Sequence, residues 1–555
     1  MSRASFPVLL IDQLSSEAHN GIATFLFDDE RVSMLRFQIT QETAPWVKYD
    51  YWGHAPMTFL PGAIPGESDL RAQFIAERQH QLMIRPWSAL PTSASSTVLA
   101  GFDGALSPED VSASGMVVDG ILYLRGCNTR TGPFPFCREM RHSVYSVTKS
   151  MGAAVALLRL AQKYCDEVLN LKIADYVSVT SAHDGWKHVT LADALNMATG
   201  IGDKSPLRQP NDPEADELGP KHKQFDKART AKEKLDVSFS YGKYPWEPGE
   251  IVRYNSTQTF VLAAAMDAYL KRREGPNAHI WGMLVDEVFR PIGILHAPTL
   301  HTLETDGSRG VPLLSTGLFP TIEDVAKLAT LLQSGGRHDG QQLLSPAKLA
   351  EALFRANVMT GIATGRGNRF GGERYHLGFW SIAYQPRNGC TVHIPYMSGH
   401  GGNLVVLLPN AVSAIRFADA LSYDKESLVL ASEAIRPLCP VASDATPSPS
   451  NRVALGADEV RAELVGNTLH GRLRNTFIDP AGTVYAVSRL NPIDVDVGRW
   501  KLNAEGQFCV TWNVSDHGRS RCNVVYRDTN RFEFQPVDQW GSVTAVRVLG
   551  NPDGR

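Results

Sequence analysis

The chain has 555 residues, with 55 basic and 58 acidic side chains, a formal net charge of -3, 43% hydrophobic residues and 20% charged ones. This composition describes a folded chain of more than one domain, without the basic footprint of a nucleic-acid binder. No apolar run approaches the roughly 20 residues that cross a bilayer as a helix, so no membrane span is expected.

Phe6–Ile11 (FPVLLI) is apolar, but too short for the core of a secretory signal, and no small-residue cleavage pattern follows it. Ile22–Phe27 and Val32–Ile39 read as strands, Gly53–Ser68 as a Pro- and Gly-rich connection, and Arg71–Met83 as a helix. In Gly115–Arg125 two apolar runs bracket Asp119-Gly120, a two-residue hairpin signal. Ser146–Gln162 is apolar on nearly every side and predicts a buried helix. Further helices are expected over Leu191–Met197, Thr257–Leu270, Ile280–Phe289, Ile322–Leu332 and Pro346–Arg355. Asp203–Val237 is polar, charge-dense and too long for an ordinary connection, the composition of a candidate lid. Tyr375–Tyr384 and Leu404–Pro409 read as strands and Lys425–Arg436 as a helix. Pro440–Asn451 (PVASDATPSPSN) has linker composition, and the short alternating segments after it, starting with Leu464–Leu473, predict an all-β tail.

The seven cysteines bear on compartment. Cys127 and Cys137 flank Gly132-Pro133, and Cys509 and Cys522 flank Ser515-Asp516-His517-Gly518. A hairpin at either turn would set its two thiols opposite one another, a disulfide position that indicates a periplasmic or secreted protein. Seven reduced thiols in a cytoplasmic protein are the alternative. No C-x-x-C occurs, and His393 and His400 lack carboxylates at metal-binding spacing.

Three short motifs carry chemistry. Ser146-Val147-Thr148-Lys149 places a hydroxyl and an amine one helical turn apart. A serine hydroxyl needs a base to become a nucleophile, and a lysine serves when burial favours its neutral form. Pro248–Ser256 (PGEIVRYNS) delivers Tyr254 and Ser256 to the start of an apolar helix, where a phenol can act as acid or base. Ser398–Asn403 (SGHGGN) precedes an apolar strand. Its small residues let an acyl group lie against the strand edge, where the N–H of Asn403 could pair with that of Ser146 as an oxyanion hole. Each motif alone is common; the three together, each at an element boundary, are not.

Residues 111–440 resemble the class C β-lactamase-like, penicillin-recognising serine hydrolases. The likeness extends from Tyr145–Gly152 (YSVTKSMG) through Val189–Gly202 (VTLADALNMATGIG) and Gly336–Pro346 (GRHDGQQLLSP) to Tyr375–Trp380 (YHLGFW). It implies an α+β fold: an antiparallel sheet flanked by helices, with an all-helical lobe. Around that domain lie an N-terminal extension (1–110), a linker (441–455) and a C-terminal β-barrel or meander (456–555). By the same resemblance Ser146 is the nucleophile, Lys149 its activator and Tyr254 the proton shuttle, while Ser256, His400, Gly401, Gly402 and Asn403 border the substrate. No metal and no cofactor are implied, the partner is a small ester or amide, and a dimer is possible. Two residues depart from the usual pattern: Ser256 stands where an asparagine is common, and His400 where a lysine is common. The first is similar to 6-aminohexanoate-dimer hydrolases and family VIII-type esterases. Both favour esters or small amides over penicillins. A β-lactamase, a D-amino-acid peptidase or amidase, an acyltransferase and a non-catalytic ligand-binding relative are the alternatives. The G-x-S-x-G elbow, H-E-x-x-H and Walker A motifs are absent.

Overall fold

The computed structural model describes residues 1–43, 51–91, 96–104, 106–203, 216–217, 219–356, 358, 360–368, 371–386, 390–439, 453–470, 474–488, 495–513, 520–528, 531–537 and 544–548. The chain divides into two units, Met1–Val441 and Ala442–Arg555. The linker-like run at 440–451 lies outside the described residues.

The first unit opens with four antiparallel strands in sequential order, β1 (Ser2–Ile11), β2 (Ala18–Phe27), β3 (Leu35–Glu42) and β4 (Tyr51–Ala55). The apolar run at Phe6–Ile11 is thus half of a strand paired with β2. A ten-stranded sheet follows, built from β5 (Ile84–Pro86), β6 (Val111–Val118), β7 (Ile121–Thr129), β8 (Ile362–Asn368), β9 (Gly371–His376), β10 (Phe379–Tyr384), β11 (Val392–Gly399), β12 (Asn403–Leu407) and β13 (Ser413–Ala418). Its order is β8-β9-β10-β11-β12-β13-β6-β7-β5, with Gly132–Pro133 added to β7. All neighbours are antiparallel except β5 and β7. Asp119 and Gly120 turn the β6–β7 hairpin with φ of 50° and 77°, the left-handed pair that a two-residue turn demands.

Both faces of this sheet are covered. In β12, Val405 and Leu407 join one core and Leu404 and Val406 the other, because successive strand side chains point to opposite faces. That is why Leu404–Leu408 is unbroken in apolarity. The larger core holds helices α2 (Val155–Lys163), α3 (Leu191–Leu195), α6 (Ser256–Glu274) and α7 (Ile322–Gln333); α8 (Glu426–Ile435) packs on the opposite face. By contrast α1 (Glu67–Gln79) buries no residue. The charge-dense stretch Asp203–Val237 is not an irregular loop where described. It contains α4 (Pro220–Lys227) and most of α5 (Ala231–Phe239), the latter started by Thr230 and Glu233 in a capping box; residues 204–215 and 218 lie outside the description.

Tyr375–Tyr384, expected as one strand, is a hairpin. Leu377 and Gly378 adopt φ of 43° and 85° between β9 and β10. The Leu377 N–H donates to Asn196 Oδ1 at 2.6 Å, and its side chain is buried, which offsets the strain of a left-handed leucine. One glycine in an apolar run gave too weak a turn signal to divide the strand.

In the second unit, strands β14 (Val453–Ala454), β15 (Thr468–His470), β16 (Arg474–Ile478), β17 (Thr483–Ser488), β18 (Val495–Leu502), β19 (Phe508–Trp512), β20 (Ser520–Asp528), β21 (Arg531–Pro536) and β22 (Thr544–Val548) form one sheet. From β15 to β22 each strand pairs antiparallel with the next, and β22 returns to β15. The result is a closed up-and-down barrel, with β14 added to β20. The tail is not purely β. Helix α9 (Ala457–Leu464) precedes the barrel, where a strand was expected from Leu464, and Val460 and Leu464 belong to the barrel's core. Glu459 accepts from the Gly456 N–H at 2.8 Å and so starts the helix, a polar cue masked by the alternation that follows.

Both anticipated cysteine pairs, Cys127–Cys137 and Cys509–Cys522, are disulfides. Cys390–Cys439 is a third, separated by 49 residues and so without a local turn to reveal it; Cys165 is free.

Candidate active site

The chain around Ser146 is wound more tightly, then more loosely, than a regular helix. Val147, Thr148 and Lys149 donate their N–H groups three residues back, to Val144, Tyr145 and Ser146 O, at 2.9–3.0 Å. A π-helical segment, Lys149–Ala154, then leads into α2. Ser146 therefore stands in the turn ahead of the helix rather than inside it. Side chains three residues apart eclipse in a 3₁₀ turn, and Lys149 Nζ reaches Ser146 Oγ at 2.9 Å. The same ammonium position donates to Ser256 Oγ at 2.8 Å and to Ser315 O at 3.0 Å, with Lys149 only 1% exposed. The Leu377-Gly378 turn braces the π segment: Ser150 Oγ donates to Gly378 O at 2.6 Å, and a Cβ on Gly378 would sit 3.0 Å from Ala154 Cβ.

Tyr145, just before Ser146, has φ of 43°, a strained value for a bulky residue. It is held at both ends: its hydroxyl donates to Thr43 O at the end of β3 (2.9 Å), and its ring meets His400 edge-on at 5.3 Å. Burial pushes its phenol pKa upward.

The second motif owes its geometry to a helix cap. Asn255 Oδ1 accepts from Thr257 N at 3.0 Å at the start of α6. Tyr254 and Ser256 flank that cap and both face Lys149. Lys149 Nζ lies 4.9 Å from the Tyr254 ring centroid, a cation–π contact. The ring stacks on Trp380 at 5.4 Å, with Tyr375 edge-on at 6.0 Å. Ser256 has a further partner that the sequence did not reveal. Glu217 accepts from the Ser256 N–H at 2.7 Å and from its hydroxyl. Glu217 sits in the charge-dense stretch, where one carboxylate among many carries no distinguishing mark. Ser315, whose carbonyl meets Lys149, likewise gave no cue, since only its backbone takes part.

The third motif is a turn between β11 and β12, whose ends pair Gly399 with Asn403. Gly401 and Gly402 have φ of 86° and 95°. A Cβ on Gly399 would collide with Val144 O, and one on Gly402 with Ser422 O. Close approach of β11 to the backbone before Ser146 thus requires glycine. The Asn403 amide donates to Ser143 O at 3.3 Å and His400 O at 2.7 Å, and its oxygen accepts from Ala418 N at 3.3 Å. Burial lowers the His400 imidazole pKa. Ser146, Tyr254 and Ser256 thus meet around Lys149, whereas His400 and Asn403 touch Tyr145 and Ser143, just before Ser146.

Residues 117–415, more than half of the chain, match the family model described as beta-lactamase. The chain belongs to the beta-lactamase family. All three motifs of this family member lie inside the matched residues, and its fold is the β-lactamase/transpeptidase-like one, consistent with serine hydrolase activity on esters or amides. Among solved structures, it is similar to a Bacillus anthracis protein assigned as a 6-aminohexanoate-dimer hydrolase (16% identity, 64% of this chain and 85% of that one, TM-score 0.45). It is also similar to a D-stereospecific amidohydrolase from Streptomyces sp. (15%, 61% and 98%, 0.41) and to a family VIII carboxylesterase (16%, 66% and 98%, 0.39). No curated protein matches this beta-lactamase-family chain.

Proposed function

We propose that the protein hydrolyses an ester or small amide through an acyl-enzyme on Ser146. The observation that carries this reading is the 2.9 Å contact between Ser146 Oγ and a lysine amine withdrawn from water. In its neutral form Lys149 takes the Ser146 proton as Oγ bonds to the substrate carbonyl carbon. The carbonyl oxygen gains the electron pair and is held by the N–H groups of Ser146 and Asn403. Collapse breaks the bond to the leaving group, which takes a proton through Tyr254. Water, deprotonated along the same path, then releases the acid and restores Ser146. The uncharged His400 side chain supports esters and small amides over β-lactams, whose carboxylate calls for a cation. Three disulfides support an oxidising compartment, periplasmic or extracellular.

The test is turnover of p-nitrophenyl acetate and butyrate by the wild type and by Ser146→Ala. Loss of turnover in the variant, with its thermal melt unchanged, is expected. Equal rates would sink the hydrolase reading.

A further inference from the structure

Lys149 can act as a base toward Ser146 only if its lone pair points there. A neutral amine has one lone pair and two N–H donors, whereas a serine hydroxyl both gives one hydrogen and accepts. Two hydroxyls, Ser146 and Ser256, lie at 2.9 and 2.8 Å from the same nitrogen, so they could compete for that lone pair. Ser315 O can only accept. The Ser256 hydroxyl hydrogen is directed instead to the Glu217 carboxylate, which also takes the Ser256 N–H at 2.7 Å. With its hydrogen committed, Ser256 Oγ faces Lys149 as an acceptor, and Ser146 is the hydroxyl left to give its proton to the lysine.

We propose that Glu217 is a positioning residue: by holding the Ser256 hydroxyl it reserves the Lys149 lone pair for Ser146. This rests on the acyl-serine reading above and adds a carboxylate that none of the three motifs contains. The carboxylate is set in place by its neighbour. Asp216, 1% exposed, accepts from the Tyr244 hydroxyl at 2.9 and 3.1 Å and from the Asp203 N–H at 3.1 Å. Gly202 leaves the room this needs, since a Cβ there would collide with both the Asp216 carboxylate and the Tyr244 ring. On the other side His222 Nδ1 lies 3.9 Å from Glu217 Oε2. The pattern also accounts for the exchange of asparagine for serine at position 256. A hydroxyl turns about its bond and needs an outside acceptor to fix its hydrogen, whereas a planar amide has its donor and acceptor ends fixed.

The experiment measures the rate at which a fluorophosphonate labels Ser146, with Ser146→Ala as the blank, in the wild type, Glu217→Gln, Ser256→Ala and the double variant. A thermal melt is recorded for each, and the wild type and Glu217→Gln are followed from pH 5 to 10. Glu217→Gln keeps the size of the side chain but offers one acceptor oxygen for two donors. It is expected to slow labelling about 10- to 100-fold, the scale of a hydrogen bond to a charged group, and to alter the pH profile. In the Ser256→Ala background the same change is expected to cost less than about twofold, because the hydroxyl it positions is gone. An equal loss in both backgrounds would overturn the proposal, as would labelling by Glu217→Gln at the wild-type rate. No labelling of the wild type also overturns it. Labelling without turnover of any ester would instead count against the hydrolase reading and leave the role of Glu217 standing.

Discussion

On one side of Ser146 the site is made of side chains, and on the other of backbone. Around Lys149 the hydroxyls of Ser146 and Ser256, the Ser315 carbonyl and the Glu217 carboxylate form one connected set of hydrogen bonds, with Lys149, Ser256 and Ser315 buried and Ser146 and Glu217 partly so. Around His400–Asn403 contact is made by glycines that let main chain approach main chain, and by one amide that ties Ser143, His400 and Ala418 together. A buried polar network has to stay closed, so a change of one partner demands a change in another. A glycine turn has no such chemistry and is limited by volume. The two departures from the usual family pattern fall on opposite sides of this divide. Ser256 comes with an added carboxylate, whereas His400 sets a half-buried imidazole, its pKa lowered by burial, where a cation is common.

The largest expected effect is on the side-chain half. Lys149→Met keeps the length of the side chain, removes the base, and should lower Ser146 labelling and ester turnover by about 10²- to 10⁴-fold. Labelling at the wild-type rate would reverse the division, because the chemistry would then reside in the turn. The backbone half should respond through stability. Gly402→Ala places a methyl group against Ser422 O at a φ of 95° and is expected to cost about 1–3 kcal/mol, read as a lower urea midpoint. Labelling per folded molecule should fall less than in Lys149→Met. A midpoint at the wild-type value would show that the turn yields where the packing says it cannot.

What was legible in the sequence follows the same line. Ser146, Lys149 and Tyr254 stood out in the sequence because the chemistry proposed for them depends on side-chain type at fixed spacing, and Asp119-Gly120 because its turn requires those residues. Glu217 could not, since what distinguishes it is a partner 39 residues away. Regularity misled where it was strongest. The apolar run from Ser146 promised an ordinary helix, but the lysine is brought over the serine by a 3₁₀ turn, and the following π segment is braced by Gly378 from the turn between β9 and β10. The apolar run in Tyr375–Tyr384 and the alternation from Leu464 hid a hairpin and a helix end, because neither says where a chain reverses or which cap wins.

The two halves share a support, and it offers the smallest but most specific test. His142 lies just before Ser143 and Val144, the residues that Asn403 and Gly399 approach from the motif-three side. Its N–H donates to Pro320 O at 3.0 Å, its ring lies 4.4 Å from that of Phe417, and burial pushes its imidazole down to about 3. The unfolded chain binds this proton near pH 6.5 and the folded chain only near 3. Stability from this group is therefore complete above 6.5 and drains away as the pH falls toward 3. At pH 5.5 the loss amounts to about 1 kcal/mol. His301 and His376, each pushed to about 4 by burial, add to the same acid slope. His142→Phe should accordingly flatten, without abolishing, the fall in urea midpoint between pH 7.5 and 4.5. An unchanged slope would mean that this ring takes up its proton in the fold as readily as in water.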